Sequence, residues 1–332
     1  MANKTLTVTT NTNGAVKAVS SNTNVATVSV SNKTVTIAPT GGGDCVVTIS
    51  VTDDPNYITP APVTCKVTVK TKAMYNGLDI QEIVRAGKAA SMLAVGDRWP
   101  VKMKGRVGIL DIDDTYYVCL IGIDHNKSVE TAGRYNAHFK FPYGADGKQL
   151  AFCDSEYNVQ GSGPGFRMNP GTTSSNVGGW KKSYALNTLS PQFLNILEES
   201  WKNAISDCVK YTDNVGNATG SVAANVTPTT QKIFYLSQWE IFAYDRYPYS
   251  DDTKNSINTY EKGYQQQYVY YANGNSTVHY RHNQPTVAVY VWGRSPWVAT
   301  AIDFFLNNEL GCPNWSGMSR FSEGTSPGFS IS

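Results

Sequence analysis

Residues 289–332 read VYVWGRSPWVATAIDFFLNNELGCPNWSGMSRFSEGTSPGFSIS. The two ends have the stiffness of scaffold: Trp292-Gly293-Arg294-Ser295-Pro296 in front and Ser326-Pro327-Gly328-Phe329-Ser330-Ile331 behind. Between them Trp297, Phe304, Phe305, Asn307, Asn308, Asn314, Trp315, Arg320 and Phe321 keep no helical or strand period for long. Such a stretch, rich in aromatic and amide side chains, has the composition of a contact surface. Trp, Phe and Arg supply area and Asn and Ser supply adaptable hydrogen bonds. Arg294, between Trp and Pro, is expected to hold backbone carbonyls or a carboxylate rather than a ligand.

Working outward, the preceding residues 243–286 carry nine tyrosines and much Asn and Gln, the composition of a long insertion. Either its tyrosines pack on the core or they form a contact surface. Further upstream, QKIFYLSQWEIFA reads as a buried strand leading into a turn or short helix. LSPQFLNILEESWKNAISDCVK reads as one helix capped by Ser190, with Phe193, Leu194, Leu197, Trp201, Ala204, Ile205 and Cys208 on one face. VGDRWPVKM and YYVCLIGIDHN read as strands, and 73–90 as an amphipathic linker helix capped by Asp79, with Ile80, Ile83 and Val84 inward.

Residues 1–72 differ. TLTVTT, VATVSVS, KTVTIAPT, CVVTISV and VTCKVTV alternate apolar and polar residues between Asn, Gly and Pro, the pattern of a small β-sandwich. Ser21 to Val28, Val35 to Ile37, Gly41 to Gly43 and Val47 to Val51 resemble the bacterial immunoglobulin-like group, which implies a spacer or binding module.

The 332-residue length suits two domains, and a 41% hydrophobic content suffices for real cores. The charged share, 16%, is below the usual ~25%. With 28 basic against 26 acidic residues and no basic run, nothing calls for nucleic acid. No apolar run is long enough to span a membrane, and the first residues have no apolar signal core, so the protein is expected either to stay in the cytosol or to leave by another route, for example on a particle released by lysis. Six scattered cysteines make no scaffold; Cys45 and Cys65 sit on neighbouring predicted strands, where cytosolic assembly would keep them reduced.

Chemistry-bearing patterns are sparse. His125 and His138 lack metal-ligand spacing, GSGPG at 161–165 does not open a helix after a strand, and no G-x-S-x-G elbow occurs. Asp111, Asp113 and Asp114 form an acidic cluster that could hold a cation, although a strand-to-turn patch is commoner. No nucleophile, base and orienting group assemble, so no enzyme, cofactor or metal is expected.

VGDRWPVKMKG, IGIDHNKS, GGWKKSYALNTLSPQFLNILEESWKNAI, KIFYLSQWEIF, VWGRSPWVATAIDFFLNNELG and SPGFSIS together resemble a C-terminal domain of unknown function found in Firmicutes surface proteins and phage structural proteins. Ala185 stands where that pattern commonly has Arg. This domain is similar in turn to the C-type-lectin-like fold of variable proteins of diversity-generating retroelements and of formylglycine-generating enzymes. The latter need paired cysteines, and Cys312 stands alone in its region.

The resemblance implies an all-β Ig-like sandwich (1–72) followed, after the linker helix, by an α+β C-type-lectin-like domain (91–332). It implies a non-enzymatic virion protein, made in the host cytoplasm and exposed on the phage. Its partners would be a host-surface protein or glycan and, through the first domain, other virion proteins, with a trimer as one possible assembly. The alternative is a bacterial cell-surface adhesin built of the same modules. In either case the displayed ligand-binding residues would be Trp297, Asn307, Asn308, Asn314, Trp315, Ser319, Arg320 and Phe321, with Pro327, Phe329 and Ile331 in a closing strand.

Overall fold

The computed structural model describes residues 3–152, 166, 168–169, 175–243, 257–299, 303–307, 313–317 and 324–332. Strand makes up 42% and helix 21% of it, a share of strand well above the usual 20–25%. The chain divides into two compact units, Met1–Tyr75 and Asn76–Ser332.

The first unit holds six strands: β1 (Lys4–Thr7), β2 (Val16–Ser20), β3 (Ala26–Ser31), β4 (Thr34–Pro39), β5 (Gly43–Val51) and β6 (Val63–Val69). They form two antiparallel sheets, β1-β4-β3 and β2-β5-β6. Period-2 patterning sends Val35 and Ile37 of β4 and Cys45 and Val47 of β5 into one apolar cluster shared by both sheets. Cys45 lies opposite Val67 and Cys65 opposite Val47, so the two cysteines are two residue pairs out of register. Both are free thiols, and no disulfide joins them.

The second unit opens with α1 (Gly77–Arg85). Its N-cap is Asn76 rather than Asp79. The Asn76 side chain accepts the Asp79 N–H at 3.0 Å, and Asp79 returns the bond to the Asn76 N–H at 2.9 Å. Ile80 and Val84 are fully buried, and the helix belongs to this unit, where Gln81 donates to the Ala204 carbonyl. A protease is therefore expected to leave a stable fragment beginning at or before Asn76. Cleavage scattered through 100–240 with no surviving fragment would contradict the division.

After α2 (Ala89–Met92) come β7 (Arg98–Val107), β8 (Leu110–Ile123), α3 (Lys127–Glu130), β9 (Ala137–Tyr143), β10 (Gln149–Ala151) and α4 (Gly179–Lys182). The single helix expected from residue 190 is broken. A π-helical stretch, Ala185–Leu189, leads into α5 (Ser190–Asn195), and α6 (Glu199–Ala204) follows after a gap. Ser190 is no cap; its hydroxyl donates to the Ala185 carbonyl at 3.0 Å. The interruption has a tertiary cause: the Ile196 carbonyl accepts the Lys104 N–H of β7, and Leu197 bridges Met103. The apolar face survives, with Phe193, Leu197, Trp201, Ala204, Ile205 and Cys208 all buried, but Ile205 and Cys208 are in strands.

The remaining elements are β11 (Ile205–Ser206), β12 (Cys208–Asp213), β13 (Val226–Gln231), β14 (Ile233–Phe234), α7 (Gln238–Phe242), α8 (Val269–Ala272), β15 (His279–Arg281), β16 (Gln284–Val289), β17 (Val291–Pro296), β18 (Asp303–Asn307), β19 (Pro313–Gly317) and β20 (Gly328–Ile331). The main sheet has nine strands and runs β11-β20-β9-β10-β15-β16, with β14 also on β20 and the long β7–β8 hairpin also on β9. The last strand, β20, is thus internal, antiparallel to β9 on one side and to β11 and β14 on the other. Phe329 stacks on Phe139 with centroids 5.2 Å apart, and the Trp99 and Trp201 rings complete the cluster. β12–β13 form a separate hairpin, and β17-β18-β19 a separate antiparallel sheet.

The tyrosine-rich segment is only partly a surface. Residues 244–256 lie outside the described residues; beyond them Tyr268, Tyr270 and Tyr271 are buried, whereas Tyr260 is exposed.

Candidate functional site

Arg294 ties the C-terminal sheet to the rest of its unit. A register shift between Trp292 and Pro296 in the β17–β18 pairing marks the irregularity that contains it. Its guanidinium is fully buried. Nε donates to Thr212 Oγ1 at 3.0 Å, and Nη1 donates to the Tyr235 carbonyl at 2.7 Å and to Glu240. Ser295, also buried, donates to Glu261 at 2.7 Å. Both polar residues of the W-G-R-S-P run therefore point into the unit.

Glu240 is placed by a capping box at α7. Its N–H donates to Ser237 Oγ, and its carboxylate accepts the Ser237 N–H at 3.0 Å. Such a glutamate usually sits at the surface; here it is fully buried, because Arg294 and Lys210 meet it from opposite oxygens. Lys210, on the inward face of β12, bridges Glu240 at 2.8 Å, the Tyr268 hydroxyl at 3.0 Å and Glu130 at the end of α3. Two acids and two bases thus balance in a site closed to solvent. Burial pushes the Glu240 carboxyl up, but Arg294 and Lys210 outweigh burial and hold it below the usual range. Burial wins at Glu130 and raises it.

Around these charges stand neutral imidazoles. Burial first, then Lys210, lowers His125 to about 3, and burial carries His138 well below its ordinary value. His125 stacks on Tyr268 at 3.8 Å between centroids, and His138 Nδ1 is 2.9 Å from the Tyr268 hydroxyl. Since Lys210 donates to that hydroxyl oxygen, the Tyr268 proton goes to His138. A second layer centres on Glu261, raised by burial to about 7, which accepts the Asp213 N–H, Ser295 and Gln265. Gly179 fits against this layer at φ +52; a Cβ there would meet the Asp213 carbonyl at 2.0 Å.

Among the described residues, two sets of side chains have metal-ligating atoms within 4.8 Å of one another: Glu130, His138 and Cys208, and His125, Glu130 and Glu240. The chemistry of the site gives that position to Lys210, whose ammonium already bridges both carboxylates. A divalent ion would have to displace it. The Asp111–Asp114 cluster is likewise met by side chains: Asp113 pairs with Lys102 at 2.7 Å and Lys104 at 2.8 Å across the β7–β8 hairpin.

The expected ligand-binding residues are only partly gathered. The stretch thought to lack a period forms two strands: Asn307 lies opposite Val291 and Pro313, Asn314 opposite Leu306, and Trp315 opposite Phe305. Trp297 is half-buried, and its carbonyl accepts the Asn176 side chain at 2.9 Å. Phe304 is core. Asn308, Ser319, Arg320, Phe321 and Cys312 lie outside the described residues. The ionic core was missed from sequence. Ser237-x-x-Glu240 is a legible capping box and the alternation Cys208-x-Lys210-x-Thr212 a legible inward face, but neither shows that the two meet.

The fold and site define a β-rich unit whose C-terminal sheet is held by a closed ionic core. The chain belongs to the family described as Domain of unknown function (DUF6273), which matches residues 165–332. The matched segment holds Lys210, Glu240, Glu261, Arg294 and Ser295, whereas Glu130, His125 and His138 precede it. No curated protein and no solved structure matches the chain.

Proposed function

We propose that this chain is a non-enzymatic ligand-binding protein of a phage virion. In this reading the first unit is an Ig-like spacer that docks to other virion proteins. The second is a C-type-lectin-like domain that meets a host-surface protein or glycan through the stretch between β17 and β20. One observation carries it: both ends of that stretch are anchored independently, Arg294 and Ser295 in the ionic core and Phe329 and Ile331 in the interior of the main sheet. Ends held this rigidly lower the entropy lost when the segment between them binds. A groove of about 710 Å³ in this unit is lined by Lys181, Leu186, Pro191, Leu194, Thr230 and Lys232 and not by the ionic core, which supports the non-catalytic reading.

Trp315→Ala is the test. The expected result is a melting temperature nearly unchanged and binding of the full chain to host cells weakened by ~2 kcal/mol or more, roughly thirtyfold. If Trp315→Ala unfolds the protein while Arg294→Ala leaves it stable, scaffold and display are reversed and the reading is wrong. Detection of the chain in purified phage particles checks the virion assignment; its recovery from bacterial surfaces alone would refute it.

A further inference from the structure

A second buried polar cluster, apart from the ionic core, lies where β9, β10 and β15 meet. Gln149 opens β10, opposite Tyr143 of β9 and opposite His279 of β15. Lys140 comes from the same β9 strand, and Tyr271 from α8. All five side chains are at most 5% exposed.

Three donors converge on one carboxamide oxygen. Gln149 Oε1 accepts from Lys140 Nζ at 3.0 Å, from the Tyr271 hydroxyl at 3.0 Å and from the Tyr143 hydroxyl at 3.2 Å. A ground-state carbonyl oxygen has two lone pairs. One of the three, Lys140, is also the amine, so a tetrahedral intermediate would keep the two phenols on its alkoxide, the donor pair of an oxyanion hole. The orientation of the amide follows from its partners, because Nε2 donates to the Ser276 carbonyl on the other side. Burial holds both phenols above their ordinary range, so they stay donors.

The amine is prepared as well. Among the described residues no carboxylate pairs with Lys140, and burial carries it well below the usual lysine range, toward a neutral nucleophile. His279 Nε2 is in contact with Lys140 Nζ, and a backbone hydrogen bond at Thr277 orients the ring. The carbon to be attacked is one C=O bond, about 1.23 Å, from the oxygen that Lys140 already touches.

We propose that Lys140 and Gln149 join in an intramolecular isopeptide bond. Lys140 Nζ adds to Gln149 Cδ while His279 Nε2 takes its proton. Tyr143 and Tyr271 hold the oxyanion. The Cδ–Nε2 bond then breaks, His279 returns the proton to the departing nitrogen, and ammonia leaves. One amide replaces another, with no oxidant, cofactor or co-reactant. The closed surroundings keep water from competing.

Intact-mass measurement on the purified full chain tests this without any variant. The expected mass is one ammonia below that of the sequence. After trypsin, residues 135–148 and 149–167 should appear as one branched species, uncut at Lys140. Lys140→Arg should return the mass to that of its sequence. Tyr271→Phe, sampled during cell-free synthesis, should slow cross-linking roughly a hundredfold, the cost of one oxyanion donor. A wild-type mass equal to the sequence, with 135–140 and 149–167 separate, overturns the proposal. So does an ammonia loss mapped to an asparagine elsewhere, or a Tyr271→Phe chain that cross-links as fast as wild type.

Discussion

Arg294→Ala should destabilise the second unit by about 3–5 kcal/mol, the cost of removing one partner from a buried ion pair. The substitution strips Glu240 of a charge-assisted bond, leaves Thr212 and the Tyr235 carbonyl without their donor, and opens a void where a full guanidinium was packed. For a unit of this size each kcal/mol shifts the melting temperature by roughly 2–4 °C, so thermal denaturation resolves the effect easily. Arg294→Lys should recover only part of the loss, since an ammonium cannot serve three partners in the geometry of a planar fork. Coupling provides the sharper check. In a double-mutant cycle, Glu240→Ala and Arg294→Ala should fall short of additivity, because each alone strands the other. Melting of Arg294→Ala within about 0.5 kcal/mol of wild type would remove the ionic core as the anchor of the C-terminal sheet.

Acid should weaken the second unit. His125, His138 and His279 are buried and neutral when folded, with pKa values below their unfolded value of 6.5, His125 at about 3. A group depressed on folding contributes stability that is present above its unfolded pKa and lost as pH falls toward the folded one. For His125, between about 3 folded and 6.5 unfolded, the loss by pH 4 is about 3 kcal/mol relative to pH 7, and His138 and His279 act in the same direction. Glu261, raised to about 7, and Glu130, also raised, act in the opposite direction and gain stability as pH falls. For Glu261 this gain is nearly complete by its unfolded value of 4.5, at about 3 kcal/mol. Glu240, depressed by Arg294 and Lys210 against burial, adds to the acid loss below 4.5. Since the His125 loss and the Glu261 gain are of similar size, His138, His279 and Glu240 decide the sign, and the net expectation is a loss of stability between pH 7 and pH 4, read from melting curves at the two pH values. Equal or higher melting at pH 4 would mean that these imidazoles are not buried neutral.

The anchoring role of Arg294 was legible from its neighbours, Trp on one side and Pro on the other, and the structure supplies the carboxylate and the carbonyl it holds. The residues of 303–307, DFFLN, do not alternate apolar and polar side chains, and their strand was legible only through the resemblance of IDFFLNN to the family's scaffold; in the fold β17 and β19 pair with it. The helix from Ser190 failed for a related reason. Its 3.6 period correctly marked the buried face, yet the edge of β7 captures the Ile196 carbonyl and breaks the helix, an event no local pattern encodes.

By itself the sequence determined that the first seventy residues hold short strands and, in β3 and β4, which face turns inward, since side chains alternate across a strand. The closing strand in SPGFSIS came from the family resemblance, and the structure buries it as β20. Only the tertiary structure decided that Lys210 meets Glu130, 80 residues away, and that Arg294 meets Glu240, 54 away. It also set Lys140, Gln149 and His279 side by side from three strands. The physical reason is the same in each case. Hydrophobic periodicity reports which face of an element is buried, because burial is a local average over many side chains. A buried charge or amine reports nothing locally; its tolerance depends wholly on which partner the fold brings to it.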